Sequence, residues 1–331
     1  MGPLATGEAA APPEESREVA RRTYARSLAV AREVLADVRL GRAVRFRPVK
    51  RAVQSIIDQV LTNEASILGM TTLRGHDEYT FTHSVNVCIF SIALGKKLGL
   101  GKPQLYELGV AALLHDIGKL RMPLELLNKP GAFTPEERAQ MQEHPVDGML
   151  ALFEMRGFGE LPLRPMLAVY EHHMKLDQSG YPRSRRPRRP TLFSRIVAIA
   201  DGFDAATSRR SYQQTPARPD AVLREMRENP ARGADPLLVK AFIAVTGIYP
   251  VGSAVILDSY ELAVVLARNP RPDALHQPVV RVLYDALGQP FDPAPTLDLA
   301  EPDPATGRPR RTIIKTTDPE RYGLRVSDHV A

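Results

Sequence analysis

Five of the chain's eight histidines fall between residues 83 and 173, at His83, His115, His144, His172 and His173. Each stands near a predicted helix end or in an apolar helical stretch, and Asp116 and Asp201 sit in similar surroundings. The pattern is sharpest at 115–119, where the apolar run 108–114 breaks into His115, Asp116, Ile117, Gly118 and Lys119. Gly118 just past such a run reads as a helix stop, because glycine enters the left-handed cap conformation cheaply. An imidazole and a carboxylate at the end of a buried helix are costly unless something pairs with them. Alone, the pair has two readings: a C-cap bonded to itself and the last carbonyls, or metal ligands. His83 by itself reads as a hydrogen-bonded core histidine. Asp201 and Asp204 lie on the apolar stretch 191–207, and a buried aspartate needs a partner.

Together, this many imidazoles and acids in one helical region are hard to explain as independent core residues. Neutral imidazole and carboxylate suit first-row metals such as iron, manganese or zinc. Cys88 is the single cysteine, so there is no thiolate cage, which argues against a structural zinc site, and no intramolecular disulfide. His83, His115, Asp116, His144, His172, His173 and Asp201 exceed the needs of one ion. They suit two ions bridged by a carboxylate such as Asp116.

The elements that must position these residues are mostly helical. Residues 1–16, rich in Ala, Pro and Glu, are expected to be a disordered tail without a secretion signal. Apolar residues at three- and four-residue steps from 19 to 38 predict a helix ended by Gly41, and Pro48 opens a second one. These N-terminal helices, 17–69, carry no catalytic-looking residue; they pack on the main domain or form a dimer interface. Further helices are expected at 76–98, 104–114, from 134 toward His144, at 165–170, 191–207, 218–227 and 236–246. Thr134, Pro135, Glu136 and Glu137 make a capped helix start, and 122–131 reads as an irregular loop. Beyond Gly247 the period becomes alternating, with strands at 253–257, 262–267 and 279–284 and an extended segment at 312–316. The fold class is therefore mainly α: a helical bundle over 70–250, N-terminal helices before it, and a small β module over 251–331.

The chain has 331 residues, 44% hydrophobic and 25% charged, which suits a globular protein. No apolar run approaches the roughly 18–20 residues needed to span a bilayer, so no membrane association is expected. A reducing, cytoplasmic setting fits the single cysteine. The net charge of +6 suits a phosphate-bearing partner but is too dispersed for a DNA or RNA polymer. The basic run 183–189 reads as a solvated loop.

The motifs resemble the HD-GYP group of HD-domain phosphohydrolases. The matching pieces are Tyr79 and Thr80 before His83, the HDIGK run at 115–119, Lys129 to Gly131, and Thr134 to Glu137. They continue through His144 and Pro145, His172 and His173, Gly180 with Tyr181 and Pro182, and Asp201 with Asp204. The tail after Tyr249 also resembles a C-terminal extension found on many members. The resemblance implies one ion held by His83, His115, Asp116 and Asp201. It implies a second held by Asp116, His144, His172 and His173. Some members place a glutamate where this chain has Tyr79 and bind a third ion, so two ions are expected here: iron, with manganese as the alternative. Asp116 and Lys119 are the implied catalytic residues. Lys119 and Arg210 would contact the substrate phosphate, and Gly180, Tyr181 and Pro182 would shape a loop beside the site.

The implied substrate is cyclic di-GMP, hydrolysed by a metal-bridging hydroxide to pGpG and in some members on to GMP. The chain departs from the family at Met174, Gln178 and Gln213, where glutamate, glycine and a second basic residue are usual. Two other readings stay open: a catalytically weakened module that binds a cyclic dinucleotide in bacterial second-messenger signalling, and a phosphodiesterase for cyclic GMP-AMP. A homodimer or a signalling-protein partner would engage the N-terminal helices.

Overall fold

The computed structural model describes residues 13–42, 46–72, 79–154, 163–183, 188–208, 216–229, 233–303, 307, 309 and 311–330. The chain starts with α1 (Glu14–Arg39), whose buried residues Ala20, Tyr24, Ser27, Ala31, Val34 and Leu35 recur at helical steps. The first turn of α1 thus includes residues 14–16, which the sequence reading placed in the disordered tail; Glu14 and Glu15 suit a helix N-terminus. The rest of that tail lies outside the described residues. The second helix, α2 (Phe46–Thr62), begins two residues before Pro48, since proline is tolerated in a first turn where its missing N–H has no partner to lose. A short α3 (Glu64–Met70) follows.

The centre of the molecule is α4 (Tyr79–Lys97) packed on α5 (Lys102–Leu114). Both carry apolar residues nearly all round, as buried helices do. After α5 come the short helices α6 (Leu124–Leu127) and α7 (Pro135–Met141), then α8 (His144–Glu154) and α9 (Leu163–Glu171). The expected capping box is present: Thr134 Oγ1 accepts from the Glu137 amide and Glu137 Oε2 accepts from the Thr134 amide. The bundle is completed by α10 (Leu192–Thr207), α11 (Pro219–Glu228) and α12 (Pro236–Thr246). One apolar core runs from Ala20 on α1 to Val245 on α12. Helices α1 and α2 share it, packing against α4 and, for α2, also α5.

Two local expectations are corrected. Gly118 is not a left-handed cap: α5 ends at His115 in right-handed geometry and the chain runs into a 3-10 turn, Ile117–Arg121. Glycine is needed there for space. A Cβ at 118 would lie 1.9 Å from the His144 carbonyl oxygen and 2.4 Å from the Gly148 nitrogen. The stretch 122–131, read as a loop, contains α6.

The C-terminal module is a five-stranded antiparallel sheet of order β4-β3-β2-β1-β5. Its strands are β1 (Ala254–Leu257), β2 (Leu262–Ala267), β3 (Val279–Tyr284), β4 (Thr296–Asp298) and β5 (Ile313–Thr317). The strand β4 and the closing turn α13 (Ser327–Val330) are too short to leave a periodic signal. The two faces of the sheet bury separate apolar clusters, distinct from the helical core. Among the described residues no helix is long and apolar enough to cross a membrane.

Candidate metal centre

The histidines sit where helices end, and the helix ends orient them. His115 follows α5, His144 follows α7 by three residues, and His172 follows α9. In each case Nδ1 bonds the carbonyl three residues back: Ala112 at 2.8 Å, Met141 at 2.7 Å and Val169 at 2.7 Å. Those carbonyls belong to last turns, where no further amide of the helix can reach them. With the Nδ1 proton committed, each ring must present a bare Nε2 lone pair to the opposite side. Carbonyls from the last turns of three helices thus orient three imidazoles, and their bare nitrogens suit a cation.

Asp116 sits among those nitrogens. Its Oδ1 is 3.3 Å from His144 Nε2 and 3.7 Å from His172 Nε2; its Oδ2 is 3.4 Å from His115 Nε2 and 3.7 Å from His83 Nε2. One carboxylate thus faces two histidine pairs through different oxygens. His144 Nε2 and His172 Nε2 approach to 3.3 Å. Because both Nδ1 protons are already used, this is two lone pairs aimed at a common position rather than a hydrogen bond. Asp201 on α10 sits 3.2 Å from His83 Nε2 through Oδ1 and 3.9 Å from His173 Nδ1 through Oδ2. One turn later, Asp204 Oδ2 accepts from His83 Nδ1 at 2.7 Å.

Nearly all of these groups are buried. His115 Nε2 and Asp116 Oδ1 have no hydrogen-bond partner. Leaving such atoms unsatisfied is expensive, and a metal ion resolves both at once. Two sets have ligand atoms close enough for one ion: Asp116, His144, His172 and His173; and His83, His115 and Asp116. They share Asp116, and Asp201 adjoins the second. The donor set, nitrogen and oxygen only, fits a first-row divalent ion.

Burial pulls His83 down, but hydrogen bonds to Asp201 and Asp204 outweigh it and hold its pKa up at about 9, so without an ion the ring carries a proton at Nε2 that a metal bound there would displace. Burial pushes His172 down to about 4 and His173 well below the usual imidazole range, so both remain neutral donors. Burial raises Asp116, yet the Lys119 ammonium and neighbouring histidines hold it well below the ordinary carboxylate range. Lys119 Nζ lies 2.5 Å from Asp116 Oδ2 and is partly exposed, at the mouth of the site.

Gly180 and Tyr181 fold back on the double histidine. The Tyr181 amide donates to the His173 carbonyl at 3.2 Å, and its ring centroid is 4.6 Å from that of His173. A Cβ at Gly180 would come within 2.1 Å of the same carbonyl oxygen. Pro182 completes this turn. Gln178 holds φ 64°, a left-handed conformation that favours glycine. Arg210 and Gln213 lie outside the described residues.

Sequence reasoning left three contributors unassigned. Asp204 is one helical turn beyond Asp201, and that spacing was its signal. Asn86 stands three residues after His83, between Val85 and Val87 on the buried part of α4. Glu171, fully buried, accepts from the Thr191 amide at 2.9 Å and Ser194 Oγ at 2.6 Å and pairs with Arg188, tying the double histidine to the start of α10.

Helices that end on inward-facing histidines around a His-Asp dyad are the architecture of HD domains, and the chain belongs to that family: residues 70–238 match the HD domain model. Over 286 residues the chain is 35% identical to a cyclic di-GMP phosphodiesterase of Pseudomonas aeruginosa, covering 86% of this chain and 67% of that protein. It is 34% identical over 179 residues to a cyclic di-GMP phosphodiesterase of Thermotoga maritima, covering 52% of this chain and 47% of that one. It is 39% identical over 136 residues to a 3'3'-cGAMP-specific phosphodiesterase of Vibrio cholerae, covering 41% and 31% respectively. Among solved structures, Bd1817 of Bdellovibrio bacteriovorus, described as an HDG"Y"P protein, superposes with a TM-score of 0.57 at 18% identity, covering 72% of this chain and 73% of that one. The mainly helical fold and the HD-GYP resemblance read from the motifs are thereby borne out.

Proposed function

We propose that the protein is a metal-dependent phosphodiesterase that hydrolyses cyclic di-GMP to pGpG. The observation that carries this reading is the convergence of the histidine Nε2 atoms on the two oxygens of Asp116. His83, His115, Asp116 and Asp201 would hold one ion, and Asp116, His144, His172 and His173 the other; iron is the proposed metal and manganese the alternative. Bound at such a site, two ions supply Lewis acidity and an activated water at neutral pH. The chain's own part is to hold the phosphate. Lys119, already beside Asp116, offsets charge that develops on the non-bridging oxygens, with Arg210 proposed as a second cation. Tyr181, its ring tilted against His173, gives a purine base an aromatic face at the rim. The names of the Pseudomonas and Thermotoga relatives support the substrate.

The test is metal content and cyclic di-GMP turnover of the purified protein beside Asp116→Ala. The variant is expected to lose bound metal and at least about a thousandfold in turnover, several kcal/mol of metal assistance at 1.36 kcal/mol per tenfold. Equal rates would remove the dyad from the reaction.

The Vibrio relative named for 3'3'-cGAMP supports a second reading, cyclic GMP-AMP as substrate. Rates on the two cyclic dinucleotides, measured side by side, decide it. Met174, Gln178 and Gln213 motivate a weakened, binding-only module. That reading predicts bound metal and bound dinucleotide without product.

We further propose the helices at 17–69 as the surface for a second copy or a signalling partner, an idea supported by the exposed Val19 and Leu40 of the α1 segment. Sedimentation of the full chain checks it. The division at 250 is proposed on the same footing, supported by the separate apolar clusters of the β module, while the one at 70 marks the start of the HD match within a shared core.

A further inference from the structure

A line of buried polar groups crosses the helical core from α1 to the metal centre. Tyr24 on α1 donates its hydroxyl to Asn86 Oδ1 on α4 at 2.9 Å, across 62 positions of sequence. Asn86 Nδ2 donates to Asp204 Oδ1 at 2.9 Å and to the Thr71 carbonyl at 3.3 Å. Asp204 Oδ2 takes the Nδ1 proton of His83 at 2.7 Å. Tyr24, Asn86, Asp204 and His83 are each at most 4% exposed.

The donor directions are determined by chemistry. Flipping the Asn86 amide would set its oxygen against a carboxylate and against the Thr71 carbonyl, two acceptors, so Nδ2 must face them. Oδ1 then faces Tyr24, which must donate. Burial and the nearby Asp204 charge push the Tyr24 phenol above its ordinary pKa, keeping that proton in place. Asp204, anchored on one oxygen by Asn86, keeps the other for His83 and so selects the tautomer with Nε2 free to ligate. Among the described residues no lysine or arginine pairs with Asp204. Helix α1 also lies outside the segment that matches the HD domain.

We propose that Tyr24 and Asn86 are positioning residues for the metal centre, through which α1 holds Asp204 and His83 in ligating orientation. Loss of this path then loosens the ion held by His83, His115, Asp116 and Asp201 more than the one held by Asp116, His144, His172 and His173. This rests on the two-ion reading of the site.

The experiment is calorimetric titration of the metal-depleted full-length chain with Mn2+ alone, for wild type, Tyr24→Phe, Asn86→Ala, the double variant and Ser91→Ala. Ser91 is fully buried on the same helix with an unbonded hydroxyl, so its variant reports loss of a buried polar atom without loss of the chain. Removing a group that supports a ligand costs about 10- to 100-fold in metal affinity when adjacent to it, and less one bond further out. One of two binding events is expected to weaken about tenfold in Asn86→Ala and about threefold in Tyr24→Phe. The other should stay within about twofold, and the double variant should match Asn86→Ala because both cut one path. Ser91→Ala should bind as wild type. Activity lost at limiting Mn2+ should return at saturating Mn2+ with KM unchanged.

Wild-type affinity for both ions in Tyr24→Phe and Asn86→Ala, or equal weakening of both ions, would overturn the proposal. If Asn86→Ala fails to fold, Tyr24→Phe decides alone, since it keeps the ring. A wild-type chain that binds no Mn2+ would instead remove the metal-site reading on which this one stands.

Discussion

At the scale of single residues, the site works by giving the Nδ1 of His83, His115, His144 and His172 one partner each. The ring proton goes to a helix carbonyl or to Asp204, and the lone pair goes inward. This has a pH signature in the metal-depleted protein. His172 and His173 are held below their unfolded value of about 6.5, so the stability they confer is complete above that pH and drains away as pH falls below it, toward about 4 for His172. His83 has the opposite sign. Its pKa is raised to about 9, so its contribution is complete below about 6.5 and is lost as pH rises through 9. The melting temperature of metal-depleted protein should therefore peak near pH 6.5 and fall on both sides. A flat profile from pH 4 to 9 would contradict these assignments. Gln178 offers a second residue-level test. A non-glycine residue at φ 64° pays roughly 1 kcal/mol for the left-handed conformation. Gln178→Gly should therefore be neutral to stabilising by up to about 1 kcal/mol, whereas Gln178→Val should destabilise; chemical denaturation of the three proteins measures both.

Among elements, the 3-10 turn Ile117–Arg121 has the tightest requirement. It carries Asp116 and Lys119 at its start and touches the first turn of α8 backbone to backbone at Gly118. The α8 side of that contact is His144 itself. Gly118→Ala must push the turn from α8, since neither the His144 carbonyl nor the Gly148 amide can swing aside as a side chain would. We expect a loss of about 1–3 kcal/mol in stability, the usual cost of overpacking. We also expect loss of bound metal out of proportion to it, because Asp116 and His144 separate. Metal analysis beside thermal melting separates the two effects.

For the whole molecule, the N-terminal helices are part of the catalytic core's packing. Val49, Val53, Ile56, Ile57 and Val60 of α2 are fully buried against the same cluster as α4 and α5. Burying one such side chain stabilises by about 1.5–3 kcal/mol, so uncovering five costs about 7–15 kcal/mol. That rivals the whole stability of a typical domain, about 5–15 kcal/mol. A chain begun at residue 70, where the HD match begins, should not fold to a monomer with a cooperative melt. A soluble, cooperative truncated chain would show that α1 and α2 are dispensable. The β module differs in burying its own clusters, and it meets the helical part through bonds such as Thr316 Oγ1 to Asp220 Oδ1 at 2.7 Å.

The sequence by itself determined the longer helices, three of the strands and the imidazoles and carboxylates that cluster. Helical periodicity, the Thr134 capping box and the clustering of imidazoles are local, and local order survives in a one-dimensional string. Only the tertiary structure decided how those side chains are aimed. That Ala112, Met141 and Val169 lend carbonyls to three histidines depends on three helix ends meeting, which no spacing along the chain records. Gly118 was legible as a glycine but its reason was not, because the atoms that exclude a Cβ belong to α8. The path from Tyr24 through Asn86 and Asp204 to His83 joins three helices far apart in sequence. Hydrogen bonds need partners within about 3 Å, and which partners come that close is settled by packing.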